Sequence, residues 1–242
     1  MYDYYEFLNE ERVANSWPDK DKKEFAKFQL DNLLEAFEAF KKYKIKHWID
    51  CGTLLGIYRD GALIPGDSDT DMGILVEDMS PDFVEDFVDN LGGTGSSPMF
   101  FRPEDWLKIV NEGGKPVPPK NMQFRMLVKG KQKTFKGKRI YGDIFMYYPF
   151  KKDRIYKFGR RYFRTKDSIL QAGTKSMTAD GNAFPILKQT EEHLEVCYGK
   201  GWTDPDPGFK INDNEVYGGP LLKKDIGGDY LYDFSTGKHT IE

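Results

Sequence analysis

The chain has 242 residues, with 36 Lys plus Arg against 39 Asp plus Glu and a formal net charge of −3, so a globally basic nucleic-acid binder is disfavoured and no nucleic-acid partner is expected. Hydrophobic residues make up only 39% and mean hydropathy is −0.65, yet the aromatic share of 15% supports a real core and argues against disorder. The two cysteines, Cys51 and Cys197, exclude a disulfide framework or a cysteine zinc cage. No apolar run approaches the ~20 residues of a bilayer span, and the Met1–Glu6 stretch does not read as a signal peptide. The expectation is a soluble cytoplasmic protein, peripheral to the inner membrane face at most.

In chain order, the spacing of Phe25, Phe28, Leu33, Phe37 and Phe40 predicts a helix from Asp19 to Tyr43 that packs one face on a core. Ile45–Asp50 reads as a strand ended by Gly52. Thr53–Arg59 reads as a short helix stopped by Asp60-Gly61. Asp67–Glu77 carries a polar cluster followed by the buried-strand run Ile74-Leu75-Val76. Ser80-Pro81 predicts a helix to Leu91, with an exposed loop over 92–98. The texture is then β: Trp106–Val110, Met122–Val128, Arg139–Tyr147 and Arg154–Phe163 are the expected strands. A helix over 190–198 is closed by Gly199, and the last forty residues read as irregular. The whole of 1–242 is expected to form one domain: an N-terminal helical segment over 1–44, a core over 45–200 and an extension over 201–242.

Asp67, Asp69 and Asp71 alternate along an extended stretch, which would aim all of them to one side. Such a concentration of negative charge is costly without a cation, and hard oxygen donors suit magnesium, manganese or calcium. A solvated acidic turn would explain neither Gly52-Thr53 upstream nor the apolar strand after the cluster. An EF-hand-like calcium loop fits Asp67, Asp69, Asp71 and Asp78, but Met72 stands where its glycine belongs. A metal site for phosphoryl chemistry uses more of the pattern. Gly52 would let a phosphate approach the backbone, and Thr53 would open a helix with anion-binding amides. Asp143, a carboxylate inside the apolar run Ile140–Met146, is the candidate third ligand.

These residues carry a resemblance. Gly52-Thr53-Leu54-Leu55-Gly56, Arg59, Ile64-Pro65 and Asp67-Ser68-Asp69-Thr70-Asp71 resemble the LicD/fukutin motif, approximately G-T-L-L-G-x-x-R-x-x-x-x-I-P-W-D-x-D-x-D. Gly142-Asp143-Ile144-Phe145 is similar to the family's Asp-Ile-Phe segment. Phe184-Pro185, Glu192, Leu194, Tyr198-Gly199 and Trp202 are similar to its C-terminal part. The chain departs from the family in having Gly66 for the usual Trp, Ser68 where many bacterial members have Asp, and no zinc-binding cysteines of the animal type.

The resemblance implies an α+β, nucleotidyltransferase-like mixed sheet with flanking helices. It implies transfer of a phospho-alcohol, such as phosphocholine or ribitol 5-phosphate, from a CDP-activated donor to a glycan or glycolipid hydroxyl. Asp69 and Asp71 would hold Mg²⁺ or Mn²⁺, and Asp143 would complete the shell or accept the acceptor's proton. Asp67 would sit behind the ligands or act as the hinge of the loop. Gly52 and Thr53 would cradle phosphate, and Arg59 would neutralise developing charge. The alternatives are a nucleotidyltransferase acting on a small molecule, and a calcium- or glycan-binding module without activity. Lys129–Arg139 and the run from Arg154 to Lys166 would form a local positive surface suited to a phosphorylated acceptor or an anionic membrane face. His47 and His193, without Cys or His partners at ligand spacing, are expected to be structural or exposed.

Overall fold

The computed structural model describes residues 16–78, 123–127, 134–136, 138–139, 141–158, 161–206, 221, 227, 230–233 and 238–241. The expected helix from Ser80, the loop over 92–98 and the strand Trp106–Val110 lie outside the described residues. Helix α1, Asp19–Lys42, has acidic residues in its first turn and Lys41 and Lys42 in its last, each matched to the helix dipole. Phe25, Leu33, Ala36, Phe37 and Phe40 form its buried stripe. At 24 residues it is about 36 Å long by the usual rise. Gln29, near its middle, touches the acidic loop, and Phe37 and Phe40, towards its C-terminal end, pack on the His47 ring.

Strand β1, His47–Ile49, leads into helix α2, Cys51–Asp60, and then β2, Thr70–Leu75. The later strands are β3 (Gln123–Leu127), β4 (Thr134–Phe135), β5 (Lys138–Arg139), β6 (Tyr141–Phe150), β7 (Asp153–Phe158) and β8 (Arg161–Lys166). The main sheet has the order β1-β2-β6-β7-β8, with β3 also on β6. Among the described residues only the β2–β6 ladder of this sheet is parallel, so the sheet is mixed and the α+β class expected from the resemblance holds. Helix α3 (Asp167–Gln171), the hairpin β9 (Thr174–Ala179) and β10 (Asn182–Leu187), and helix α4 (Thr190–Tyr198) follow. Strands β11 (Tyr230–Asp233) and β12 (Lys238–Ile241) close the order. Among the described residues, no helix is long and apolar enough to cross a membrane.

Strand alternation divides the core. Met72 and Ile74 of β2 and Ile144, Met146 and Tyr148 of β6 pack with α1 and α2. Leu75, Phe145 and Tyr147 pack on the other face with Trp48, Tyr156, Phe163 and Val196. Asp71 and Asp143 belong by parity to this second face. Gly73, between Asp71 and Leu75, lies under the Trp48 indole, whose Cε2 would stand 2.3 Å from an added Cβ. Glycine is therefore required there by close approach.

Four expectations need correction. Strand β2 starts at Thr70, before the apolar run, because its polar first residues are in register with Gly142 and Asp143; Val76 lies in a 3₁₀ turn. The single strand Arg154–Phe163 is two antiparallel strands, β7 and β8. The Asp180-Gly181 pair, both with positive φ, closes the overlooked hairpin β9–β10. The C-terminal stretch contains the paired strands β11 and β12 and is not wholly irregular.

The positive surface also changes. Arg154 is 6% exposed and binds Glu77 and Asp167, so it ties β7 to the 3₁₀ turn after β2 and to the start of α3. Lys166 pairs with Glu192 at 2.6 Å, and Lys136 pairs with Asp21. Lys129, Lys131 and Lys133 lie outside the described residues.

Candidate active site

The parallel ladder sets Asp71 directly beside Asp143, and Asp69 precedes Asp71 by one alternation. One oxygen from each of the three carboxylates lies within 4.8 Å of the others. Asp143 is 1% exposed and Asp71 8%. Burial pushes the Asp71 carboxyl well above the ordinary range, and the charges of Asp69, Asp67, Asp143 and Asp50 add to the effect. A crowded, oxygen-only donor set in which Asp71 resists carrying its charge fits a hard divalent cation. It does not fit an EF-hand, because Asp71 is already a paired strand residue.

Helix α2 aims its N-terminus at this cluster. Gly52 donates its backbone N–H to Asp71 Oδ2 at 3.0 Å. A Cβ on Gly52 would lie 2.8 Å from Asp67 Oδ2 and 3.4 Å from Asp71 Oδ2, so the carboxylates occupy the space a side chain would need. Thr53 is buried, and its hydroxyl accepts the Asp71 N–H at 2.8 Å. Both residues of the glycine–hydroxyl turn therefore hold Asp71 in place. Cys51 enters the helix with φ of 43°, a strained value for a side-chain-bearing residue.

Asp67 stands in the turn before β2, with its N–H on Ile64 O and its Oδ1 accepting the Ser68 N–H. It lies outside the three-carboxylate set but close enough to act on Asp71. Arg59 lies in the last turn of α2, roughly 12 Å along the axis from Cys51. Its guanidinium binds both oxygens of Asp60 at 3.0 and 2.8 Å, so the structure does not bring it into the carboxylate set.

The sequence reading missed the support beneath the site. Asp50 is fully buried and caps α2. Its Oδ1 accepts from Cys51 N and meets His193 Nε2, both at 2.8 Å. Its Oδ2 accepts from Trp48 Nε1 at 3.1 Å and the Tyr147 hydroxyl at 2.6 Å. Burial works against the carboxylate, but His193, Tyr147 and the Cys51 amide outweigh it, and the Asp50 pKa falls below its usual value. Burial likewise disfavours the His193 cation, yet Cys197 and Asp50 raise its pKa well above the ordinary one.

Asp50, His193 and Cys197 also present O, N and S atoms within 4.8 Å of one another. This is a structural anchor and not a second metal centre. Both Asp50 oxygens are saturated by donors, and His193 Nδ1 lacks the partner that a metal-bound histidine gives its other nitrogen. The missed signals were an Asp directly before the Cys-Gly-Thr turn and the i, i+4 spacing of His193 and Cys197 on one helix.

Residues 44–175 match the family model described as LicD/FKTN/FKRP, nucleotidyltransferase domain. The chain is 26% identical over 187 residues to the ribitol-5-phosphate transferase FKTN of Mus musculus, covering 75% of this chain and 34% of that protein. It is 32% identical over 89 residues to the human protein of the same name, covering 37% of this chain and 19% of that one. An uncharacterized protein of Rickettsia prowazekii is 39% identical over 74 residues, covering 31% of this chain and 27% of the relative. The chain thus spans about a third or less of the length of these curated relatives. Because the model match takes in more than half of the chain, including every carboxylate of the site, the chain belongs to the LicD/FKTN/FKRP nucleotidyltransferase-domain family.

Proposed function

We propose that the protein is a Mg²⁺- or Mn²⁺-dependent transferase that moves a phospho-alcohol from a CDP-activated donor to a glycan hydroxyl. The observation that carries this reading is the convergence of Asp69, Asp71 and Asp143 beside the N-terminus of α2. In a family of transferases, that arrangement suits pyrophosphate displacement, which is mainly positioning and charge stabilisation. Asp69 and Asp71 would hold the cation, and Asp143 would complete the set and take the proton of the attacking hydroxyl. The acceptor oxygen forms a bond to the phosphorus that bears the alcohol, the bridging P–O bond breaks, and CMP leaves. When bound, the cation supplies positive charge at the phosphate oxygens. Gly52 and Thr53 fix Asp71, and because the Cys51 and Gly52 amides are already bonded to Asp50 and Asp71, the pull of α2 on an anionic donor would come from the positive end of its dipole. Arg59 would join only by exchanging Asp60 for a donor phosphate.

The test is a turnover panel of CDP-ribitol, CDP-glycerol and CDP-choline with Mg²⁺ and glycan acceptors, read by mass spectrometry of the acceptor. Release of CMP with gain of a phospho-alcohol is expected. Gain of a nucleotide by the acceptor would assign the chain to nucleotidyl transfer instead, and calcium binding without turnover would remove the enzymatic reading.

A further inference from the structure

Gln29 lies on the buried stripe of α1, four residues after Phe25 and four before Leu33, where an apolar residue would be expected. It is 1% exposed. Its side-chain amide donates to the backbone carbonyls of both Asp67 and Asp69, at 3.0 and 3.2 Å. Two carbonyl partners settle the orientation of the carboxamide, because its own oxygen could not face them. The bonds span 38 and 40 residues of chain, so they are tertiary in origin and do not belong to a local turn. They also divide the loop. The carbonyls of Asp67 and Asp69 face α1, while the Asp67 carboxylate lies at Gly52 and that of Asp69 joins Asp71 and Asp143. Asn32, three residues further on and equally buried, has no partner for either amide atom. The loop is therefore served by Gln29 in particular and not by a general polar face of the helix.

We propose that Gln29 is a positioning residue for the cation site, fixing the backbone of Asp67–Asp69 so that the Asp69 carboxylate meets Asp71 and Asp143. This rests on the reading of those three carboxylates as the cation-binding set. It also extends the site beyond the family-matched residues 44–175 to a helix that lies before them. The acid-for-amide change is the most informative substitution. Gln29→Glu keeps the shape but sets a carboxylate against two carbonyl oxygens, whereas Gln29→Met only removes the donors.

The experiment titrates the intact chain with Mn²⁺ alone, following free Mn²⁺ by electron paramagnetic resonance, and measures Tm without metal in parallel. Leu33→Ala, a core change one turn along the same helix, controls for general destabilisation. Gln29→Met is expected to weaken Mn²⁺ binding about tenfold, the lower end of what loss of a ligand's supporting hydrogen bond brings. Gln29→Glu is expected to weaken it further, and Leu33→Ala to lower Tm while binding Mn²⁺ as the wild type does. Wild-type affinity in Gln29→Met, or equal weakening in Leu33→Ala, would overturn the positioning role alone. Failure of the wild-type chain to bind Mn²⁺ would overturn the reading of the carboxylates, and this proposal with it.

Discussion

Asp71 and Asp143 are direct partners across the parallel β2–β6 ladder, so their side chains leave the same face of the sheet side by side. Neither is accessible enough for water to screen the pair well, at 8% and 1% exposure. The fold therefore holds Asp71 where burial and the neighbouring carboxylates disfavour its charge, which marks the position as more than a surface acid.

A pH dependence follows for the metal-free protein. The Asp71 pKa is raised by burial first and then by Asp69, Asp67 and Asp143. Between its ordinary and its raised value the folded state holds a proton that the unfolded state has lost, so stability falls as pH rises through that window. In EDTA, Asp71→Asn should raise Tm at neutral pH, and the gain should vanish as pH approaches 4. Mg²⁺ should then stabilise the wild type but not the variant, and turnover should fall at least ~100-fold. Differential scanning fluorimetry from pH 4 to 8 reads both effects, and a Tm gain independent of pH would contradict the charge argument.

Gly52→Ala tests the close approach. The new Cβ would lie 2.8 Å from Asp67 Oδ2, which must move, and 3.4 Å from Asp71 Oδ2, which need not. The expected stability cost is about 1–3 kcal/mol, with a larger proportional loss in Mg²⁺ affinity because the displaced group borders the site. Urea unfolding beside a Mg²⁺ titration separates the two, and unchanged metal affinity would remove Gly52 from the site.

Asp69, Asp71 and Asp143 were legible because their chemistry is visible in one dimension: alternation along a strand, and a carboxylate inside an apolar run. The helix over 190–198 was legible from Gly199 and its own periodicity. Asp50 and His193 were not legible as a pair, because they meet across 143 residues and the local signals at each, an Asp before the turn and a His four residues from Cys197, do not say that the two join. Gln29 was hidden for a similar reason, since a polar residue in a helical stripe gives no sign of what it reaches. The β9–β10 hairpin is a different case. Asp180-Gly181 is a strong turn signal that the sequence reading missed, and Pro185 in the strand after it is a residue that argues against a strand when taken alone.

Arg154 separates folding from acceptor recognition. Arg154→Met leaves Glu77 and Asp167 without their shared cation. The partners are partly exposed, so the cost should be about 2 kcal/mol, below that of a fully buried pair. Arg154→Lys should restore only part of it, since a single ammonium cannot bridge two carboxylates as the guanidinium fork does. Donor hydrolysis per folded molecule should be unchanged. A selective loss of transfer to a polyanionic acceptor, without loss of Tm, would return Arg154 to the positive surface.

The Asp50–His193 pair makes the sharpest pH prediction away from the carboxylates of the site. Cys51, Trp48 and Tyr147 all donate to Asp50, which favours the carboxylate, and a buried carboxylate favours a charged imidazole beside it. His193→Gln keeps a donor in roughly the same place but removes the charge, and should cost about 3 kcal/mol at pH 6. The His193 pKa is raised above its ordinary 6.5, burial being outweighed by Cys197 and Asp50. Its contribution is therefore complete below 6.5 and is lost as pH rises through the folded value. The lowered Asp50 pKa acts in the opposite range, with a contribution present above 3.8 and lost as pH falls through its folded value. The difference between wild type and His193→Gln should thus hold steady near pH 5 to 6 and shrink towards pH 9. Urea titrations at pH 6, 7.5 and 9 measure it directly. A difference that stays constant over that range would mean the ring is neutral, with Nε2–H donating to Asp50 as an uncharged anchor. The negative charge beneath α2 would then be stabilised by the Cys51, Trp48 and Tyr147 donors without a counter-ion.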